Sequence, residues 1–184
     1  MSTNILEIPV ESIDGKPTTL AQHQGKVLLL VNVASQCGFT PQYTGLEALY
    51  EANRDKGLVV CGFPANDFAA QEPGSNDEIR TFCETSFGVK FPLYSKIAVT
   101  GEHRHPLYTA LVESTPKTTG DTTELRKHLI EFGVTPTHPP EVLWNFEKFL
   151  VSRDGKVVNR FAPDVAPEDP WLKEAIEEEI NRSE

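Results

Sequence analysis

The side chains best suited to covalent chemistry in this 184-residue chain are three cysteines, Cys37, Cys61 and Cys83. An odd count does not read as a framework of structural disulfides. It reads as thiols held reduced, open to reversible redox or nucleophilic work. Cys37 follows a continuous apolar run, residues 26–34 (KVLLLVNVA), and immediately precedes Thr40-Pro41, where a helix is expected to start. The free N–H groups and positive dipole end of a helix stabilise an anion, and only the thiolate form of a cysteine attacks. Gly38 lets backbone approach closely. Position alone is equally compatible with an inert buried cysteine at a strand end. Cys61 lies inside a second apolar run, residues 58–64 (LVVCGFP), and reads as structural. The five histidines (His23, His103, His105, His128, His138) have no cysteine or carboxylate at a spacing that completes a metal site, so neither a metal nor another cofactor is expected.

The elements that must position Cys37 follow from periodicity. Residues 5–20 alternate apolar and polar around Asp14-Gly15, which predicts a β-hairpin. The runs 26–34 and 58–64 predict strands buried on both faces. Between them Leu46, Leu49 and Tyr50 give a helix its apolar stripe, with Thr40 as cap, Pro41 at the first position and Gly57 at the end. Ser75 and Glu78 fit a capping box for a helix bearing Ile79, Phe82, Cys83 and Phe87 on one face and stopping at Gly88. A strand is expected at 92–99 and a helix from Pro106. Residues 116–141 form a Pro-rich insertion with a short helix near 122–132. A hairpin over 144–161 turns at Asp154-Gly155, and a terminal helix turns Leu172, Ile176 and Ile180 inward. This order packs as an α/β fold, a central sheet with helices on both faces, and no linker divides residues 1–184 into more than one domain.

Composition narrows the function. Hydrophobic residues make up 39 % of the chain, which excludes global disorder. No apolar run reaches the roughly 18 residues of a membrane span. The N-terminus lacks the basic start and apolar stretch of a signal peptide, so the cytoplasm is the expected compartment. The net charge of −10 argues against nucleic acid as a partner. Half of it falls in the last twenty residues, as expected for the solvated face of a terminal helix.

Three segments carry more than composition: Asn32-Val33-Ala34-Ser35-Gln36-Cys37-Gly38; Gly62-Phe63-Pro64-Ala65-Asn66-Asp67-Phe68 with Gln71-Glu72-Pro73-Gly74-Ser75; and Trp144-Asn145-Phe146-Glu147-Lys148-Phe149-Leu150-Val151. In type and order they resemble the motifs of the glutathione peroxidase family, in its cysteine rather than selenocysteine branch, and the resemblance runs from about residue 8 to 165. It implies a thioredoxin-like fold with a mixed central sheet. It implies Cys37 as peroxidatic thiol within a tetrad completed by Gln71, Trp144 and Asn145. It also implies Cys83 as resolving cysteine, the arrangement of the thioredoxin-dependent members. The chemistry of the tetrad stands without the resemblance. An indole and two carboxamides are neutral N–H donors, which favour thiolate over thiol without a competing charge. Taken singly, Trp144 would read as a core aromatic, and Gln71 and Asn145 as turn or cap residues. Ala65 and Asp67 depart from the family pattern; the first removes a competing thiol, and the second leaves a carboxylate of unassigned role.

The expected activity is reduction of hydrogen peroxide and organic hydroperoxides through a Cys37 sulfenic acid, resolved by Cys83 and re-reduced by thioredoxin. A glutathione-dependent peroxidase with Cys83 structural, and a sensor that relays oxidation from Cys37 to a protein partner, are the alternatives. A general disulfide isomerase is disfavoured because Thr40 stands where a C-x-x-C pair would need its second cysteine. The insertion at 116–141 leaves oligomeric state open.

Overall fold

The computed structural model of the protein describes residues 4–182. Its main sheet contains β3 (Val27–Val33), β4 (Leu58–Pro64), β5 (Lys148–Val151) and β6 (Val157–Phe161) in the order β4-β3-β5-β6. β3 pairs parallel with β4 and antiparallel with β5, which pairs antiparallel with β6, so the sheet is mixed. Every residue of β3 and β4 is buried. A strand with no exposed position must be covered on both faces, as the unbroken apolar runs predict. The helices α1 (Gln42–Asn53), α2 (Asn76–Phe87), α3 (Pro106–Ser114), α4 (Thr123–Glu131) and α5 (Pro170–Asn181) supply much of that cover, with α1 packed on β4 and α5 on β3.

The N-terminal hairpin is shorter than its alternation suggests: β1 (Val10–Glu11) pairs with β2 (Pro17–Thr18), and the flanking Ile5–Glu7 and Leu20–His23 are short 3-10 helices. The strand expected at 92–99 does not form. Only isolated bridges occur there, Ser12 to Tyr94 and Gly62 to Leu93. Pro92 has no N–H for a ladder. Tyr94 and Ile97 N–H still reach Gly62 O and Pro64 O at the end of β4, and Ser95 N–H reaches Glu11 O, but Lys96 N–H goes to Asn76 Oδ1 and Val99 N–H to Asp67 Oδ2, so no continuous ladder forms. The Ser75–Glu78 capping box opens α2 as expected, and Gly88 closes it at φ +60°. On α5, Glu174, Glu177 and Glu178 are exposed, but Glu179 is buried against Arg182. Glu184 lies outside the described residues.

The insertion is anchored to the sheet by one buried ion pair. Arg160 on β6 and Glu147 ahead of β5 are each 1 % exposed. Arg160 Nε donates to Glu147 Oε2 at 2.6 Å, while its other nitrogens donate to Thr115 O and Glu141 O, at 2.9 and 3.2 Å. Glu147 also accepts from Leu143 N–H at 3.0 Å. These bonds fix both ends of the insertion and the approach to Trp144. Beside them Lys148, fully buried, donates to Phe146 O at 2.6 Å and Pro163 O at 3.2 Å, and burial pushes its pKa down to about 7.

Two stability predictions follow from this corner. Arg160→Met strands the Glu147 carboxylate, which should cost about 3–5 kcal/mol in denaturant unfolding; a loss below 1 kcal/mol would show that the pair is dispensable. Lys148 is neutral in the folded state above about pH 7 and protonated in the unfolded state up to its ordinary value near 10.5. Between those limits the unfolded state binds one more proton, so stability should gain about 1.4 kcal/mol per pH unit relative to Lys148→Met. Parallel pH–stability curves for the two proteins would contradict a neutral buried lysine.

Candidate active site

The turn that carries Cys37 is built by Thr40. Its hydroxyl donates to Ala34 O at 2.8 Å and accepts from Cys37 N–H at 2.9 Å, and its own N–H closes on Cys37 O at 3.0 Å. Thr40 is therefore not the helix cap its position suggests. α1 starts at Gln42, with Pro41 ahead of it and no side-chain cap. Successive turns, Gln42 N–H to Phe39 O and Tyr43 N–H to Thr40 O, lead from Cys37 into the helix. One backbone donor in this stretch is spent on sulfur: Phe39 N–H points at Cys37 Sγ, 3.3 Å away. Cys37 itself is 8 % exposed, buried except for what the groove in front of it opens.

Gln71 arrives through a tight turn. Ala69 and Ala70 both have positive φ, +56° and +51°, a conformation that costs a non-glycine residue roughly 1–3 kcal/mol. The turn is held from outside by Asp67, whose carboxylate accepts from Val99 N–H at 2.6 Å, and by Asn66, whose Oδ1 accepts from Glu72 N–H at 2.9 Å. Asp67 thus anchors a loop and is absent from the residues lining the groove at Cys37. Two bonds tie the Gln71 segment to the Cys37 turn: Gln36 N–H to Gln71 O at 3.0 Å, and Ser35 Oγ to Glu72 Oε2 at 3.1 Å.

The third segment is held by Asn32, the penultimate residue of β3. Its backbone oxygen accepts from Phe146 N–H at 2.6 Å and its side-chain amide donates to Trp144 O at 3.1 Å. Phe146 takes φ +70°, turning the chain sharply between Trp144 and β5. The Trp144 ring packs on Phe68, centroids 5.4 Å apart. Asn145, fully buried, donates from Nδ2 to Gln71 Oε1 at 3.0 Å. That bond occupies the oxygen end of the Gln71 carboxamide and leaves its N–H₂ end unspent.

Cys37, Gln71 and Trp144 line one groove of about 470 Å³. Asn145 does not line it and touches it through Gln71. Cys83 is on α2, fully buried and outside the groove lining. Burial pushes its pKa up to about 11, offset in part by the neighbouring Tyr43 phenol. Cys61, in the middle of β4, is buried and its pKa is pushed up to about 12 by the same cause, as a structural cysteine should be. His105 caps α3, its Nδ1 accepting from Leu107 N–H. The groove's far wall was not legible as part of a site. Leu125, His128 and Leu129 of α4, with Phe132 and Val134 after it, come from the segment read as an insertion. The signal was present in the i, i+4 spacing of Leu125 and Leu129, but nothing in the sequence pointed that stripe at Cys37.

Residues 5–112 match the glutathione peroxidase family model. The chain is 51 % identical over 177 residues to thioredoxin/glutathione peroxidase BtuE of Escherichia coli, covering 96 % of this chain and 97 % of that one. It is 44 % identical over 168 residues to the hydroperoxy fatty acid reductase gpx1 of Synechocystis, covering 91 % and 92 %. The crystal structure of Trgpx in apo form matches with a TM-score of 0.72 at 34 % identity, covering 99 % and 98 % of the two chains. A thioredoxin-family thiol:disulfide interchange protein from Chlorobium tepidum, 13 % identical with a TM-score of 0.61, shares the fold alone. Matches at this identity run nearly end to end, and the chain therefore belongs to the glutathione peroxidase family, thioredoxin-like in fold and composed of peroxidase oxidoreductases.

Proposed function

We propose that the protein is a thiol peroxidase that reduces hydrogen peroxide and organic hydroperoxides through Cys37 and takes its electrons from thioredoxin. The observation that carries the reading is the convergence of Cys37, Gln71 and Trp144 on one groove, with Phe39 N–H already directed at the sulfur. The Cys37 thiolate attacks the nearer peroxide oxygen. The O–O bond breaks, the distal oxygen leaves as water or an alcohol, and Cys37 becomes a sulfenic acid. The donors around it are neutral, so they stabilise negative charge on sulfur and on the departing oxygen without pairing with a competing ion. Asn145 orients Gln71 so that its N–H₂ end is the one available. The apolar wall of Leu125, Leu129, Phe132 and Val134 suits the organic substituent of a hydroperoxide, and one relative bears the name of a fatty acid hydroperoxide reductase.

The choice of reductant rests on charge and on Cys83. Glutathione is a net anion, and the groove lining contains no Lys or Arg; the chain as a whole carries −10. In this reading Cys83 attacks the Cys37 sulfenic acid, and thioredoxin then reduces the disulfide by exchange. A disulfide needs Cα atoms within about 7 Å. Cys83, packed in the core with its carbonyl accepting from Val89 N–H at the end of α2, reaches that geometry by local opening of the helix. The reading places the reaction in one domain, in the cytoplasm.

Cys37→Ser should abolish peroxide turnover with either reductant while the protein stays folded, and appreciable residual turnover would sink the mechanism. Gln71→Ala and Trp144→Phe should each slow Cys37 oxidation by on the order of 10²-fold, as loss of a donor to developing negative charge does; rates within twofold of the parent would show the donors idle. Stoichiometric peroxide should give a Cys37–Cys83 disulfide by peptide mapping, with faster amide exchange across Ile79–Phe87. Thioredoxin should then support turnover better than glutathione. If Cys83→Ser keeps full thioredoxin-driven turnover, or oxidised Cys37 pairs only with glutathione, the glutathione reading replaces this one.

A further inference from the structure

Thr40 follows Cys37 by three residues and holds it at both of its backbone groups. Its N–H donates to Cys37 O at 3.0 Å, and its hydroxyl accepts from Cys37 N–H at 2.9 Å while donating to Ala34 O at 2.8 Å. All three residues are buried, so these bonds are made away from solvent. A hydroxyl has one proton, and here it is committed to Ala34, at the end of β3, leaving none for a substrate. The turn that results places one donor on the sulfur: Phe39 N–H lies 3.3 Å from Cys37 Sγ, the one hydrogen bond to that sulfur among the described residues. The start of α1, which residue order offers as the source of donors, supplies none. The amides of Gln42, Tyr43 and Thr44 are spent on the carbonyls of Phe39, Thr40 and Pro41, and Pro41 has no N–H of its own. No Lys or Arg lines the groove either. What favours a thiolate here is therefore neutral N–H donors, and the one already on the sulfur owes its aim to the turn.

We propose that Thr40 is the positioning residue that sets the reactivity of Cys37: its hydroxyl locks the Cys37–Thr40 turn onto the end of β3, and the locked turn keeps Phe39 N–H directed at the sulfur. Thr40 touches neither peroxide nor sulfur and moves no proton; it acts through the Phe39 amide, which favours the thiolate by donating to it. The inference deepens the reading of Cys37 as the peroxidatic thiol and rests on it. Removal of the hydroxyl leaves Cys37 N–H and Ala34 O, both buried, without their partner. The main-chain bond from Thr40 N–H to Cys37 O remains, so the turn survives in outline while Cys37 is free to rotate within it. The sulfur then loses the aim of its amide donor, and the fraction of Cys37 in the attacking form falls. Besides Cys37, the titratable side chain lining the groove is His128 on α4, and Glu72 is joined to the residues ahead of the turn through Ser35 Oγ. Neither is altered by a change at Thr40, so a difference between variant and parent reports the turn.

The test compares Thr40→Val, which keeps the shape and loses the hydroxyl, with Thr40→Ser, which keeps the hydroxyl. Thr40→Ala is read in the same way as Thr40→Val and serves where the latter does not fold. Two quantities are measured on the reduced protein: the rate of Cys37 alkylation by iodoacetamide across pH, read by mass on the Cys37 peptide so that Cys61 and Cys83 do not contribute, and the second-order rate of Cys37 oxidation by hydrogen peroxide. In Thr40→Val the midpoint of the alkylation profile should move up by about one pH unit, and at a pH below both midpoints the oxidation rate should fall about tenfold, as the thiolate fraction does. Thr40→Ser should stay within threefold of the parent in both. An unshifted alkylation profile in Thr40→Val overturns the proposal, whether the rates hold or fall equally at every pH, since the second pattern marks a general loosening of the site. Thr40→Ser as slow as Thr40→Val also overturns it, because the methyl group and not the hydroxyl is then what matters. If the profile shifts as expected but peroxide does not oxidise Cys37 in the parent, the hold of Thr40 on the thiolate stands and it is the peroxidase reading that fails.

Discussion

The geometry of the site depends on what happens at the end of β3. Asn32 is paired on one side with β4, in register with Phe63, and on the other accepts from Phe146 N–H while its side chain donates to Trp144 O. One fully buried residue thereby fixes where the Trp144 segment begins relative to the strand from which the Cys37 turn departs. A parallel and an antiparallel neighbour meet on the same central strand, so segments more than a hundred residues apart in sequence leave the sheet together. Loss of the Asn32 amide would leave a buried carbonyl without its donor, a cost of about 1–3 kcal/mol, and would release the indole from its place.

From that junction the site is assembled by backbone more than by side-chain attraction. Positive φ at Ala69, Ala70 and Phe146 bends two loops inward. Such conformations persist only where the surroundings over-determine them. Asp67, Asn66 and Asn32 supply those constraints through bonds to main-chain N–H and C=O groups. Lys148 closes the set by holding the Phe146 carbonyl from within the core. The result is a groove lined by Cys37, Gln71 and Trp144 without Lys, Arg, Asp or Glu, in which Phe39 N–H is the donor directed at the Cys37 sulfur.

The two helices that differ most in attachment also differ in proposed role. α4 brings apolar side chains to the groove, while Ile130 and Phe132 remain 64 % and 82 % exposed, so this wall is open on its outer side. α2 is secured at its start by a capping box and at its end by Gly88, but along its length it buries only Ile79 and Cys83 fully. A helix with so small a buried face is the kind of element that opens locally at modest cost, which is what a resolving cysteine on it requires.

Much of this was legible in the sequence because local patterns report local physics. The unbroken runs 26–34 and 58–64 marked strands buried on both faces, Ser75 and Glu78 marked the start of α2, and Cys37 was placed between a strand and a helix start, where the structure has it. The three motif segments carried the family. The strand expected at 92–99 failed because pairing is not a property of the segment: its donors are divided among β4, β1 and the side chains of Asn76 and Asp67 instead of running along one ladder. Thr40 read as a cap because its type suits one, yet its hydroxyl was drawn to Ala34 and Cys37 by the fold of the turn. The α4 wall, the bond from Ser35 to the Glu72 carboxylate and the junction at Asn32 were decided only by tertiary structure. Each depends on which distant groups are brought within hydrogen-bond or van der Waals reach, and residue order fixes chemistry and local period but not those distances.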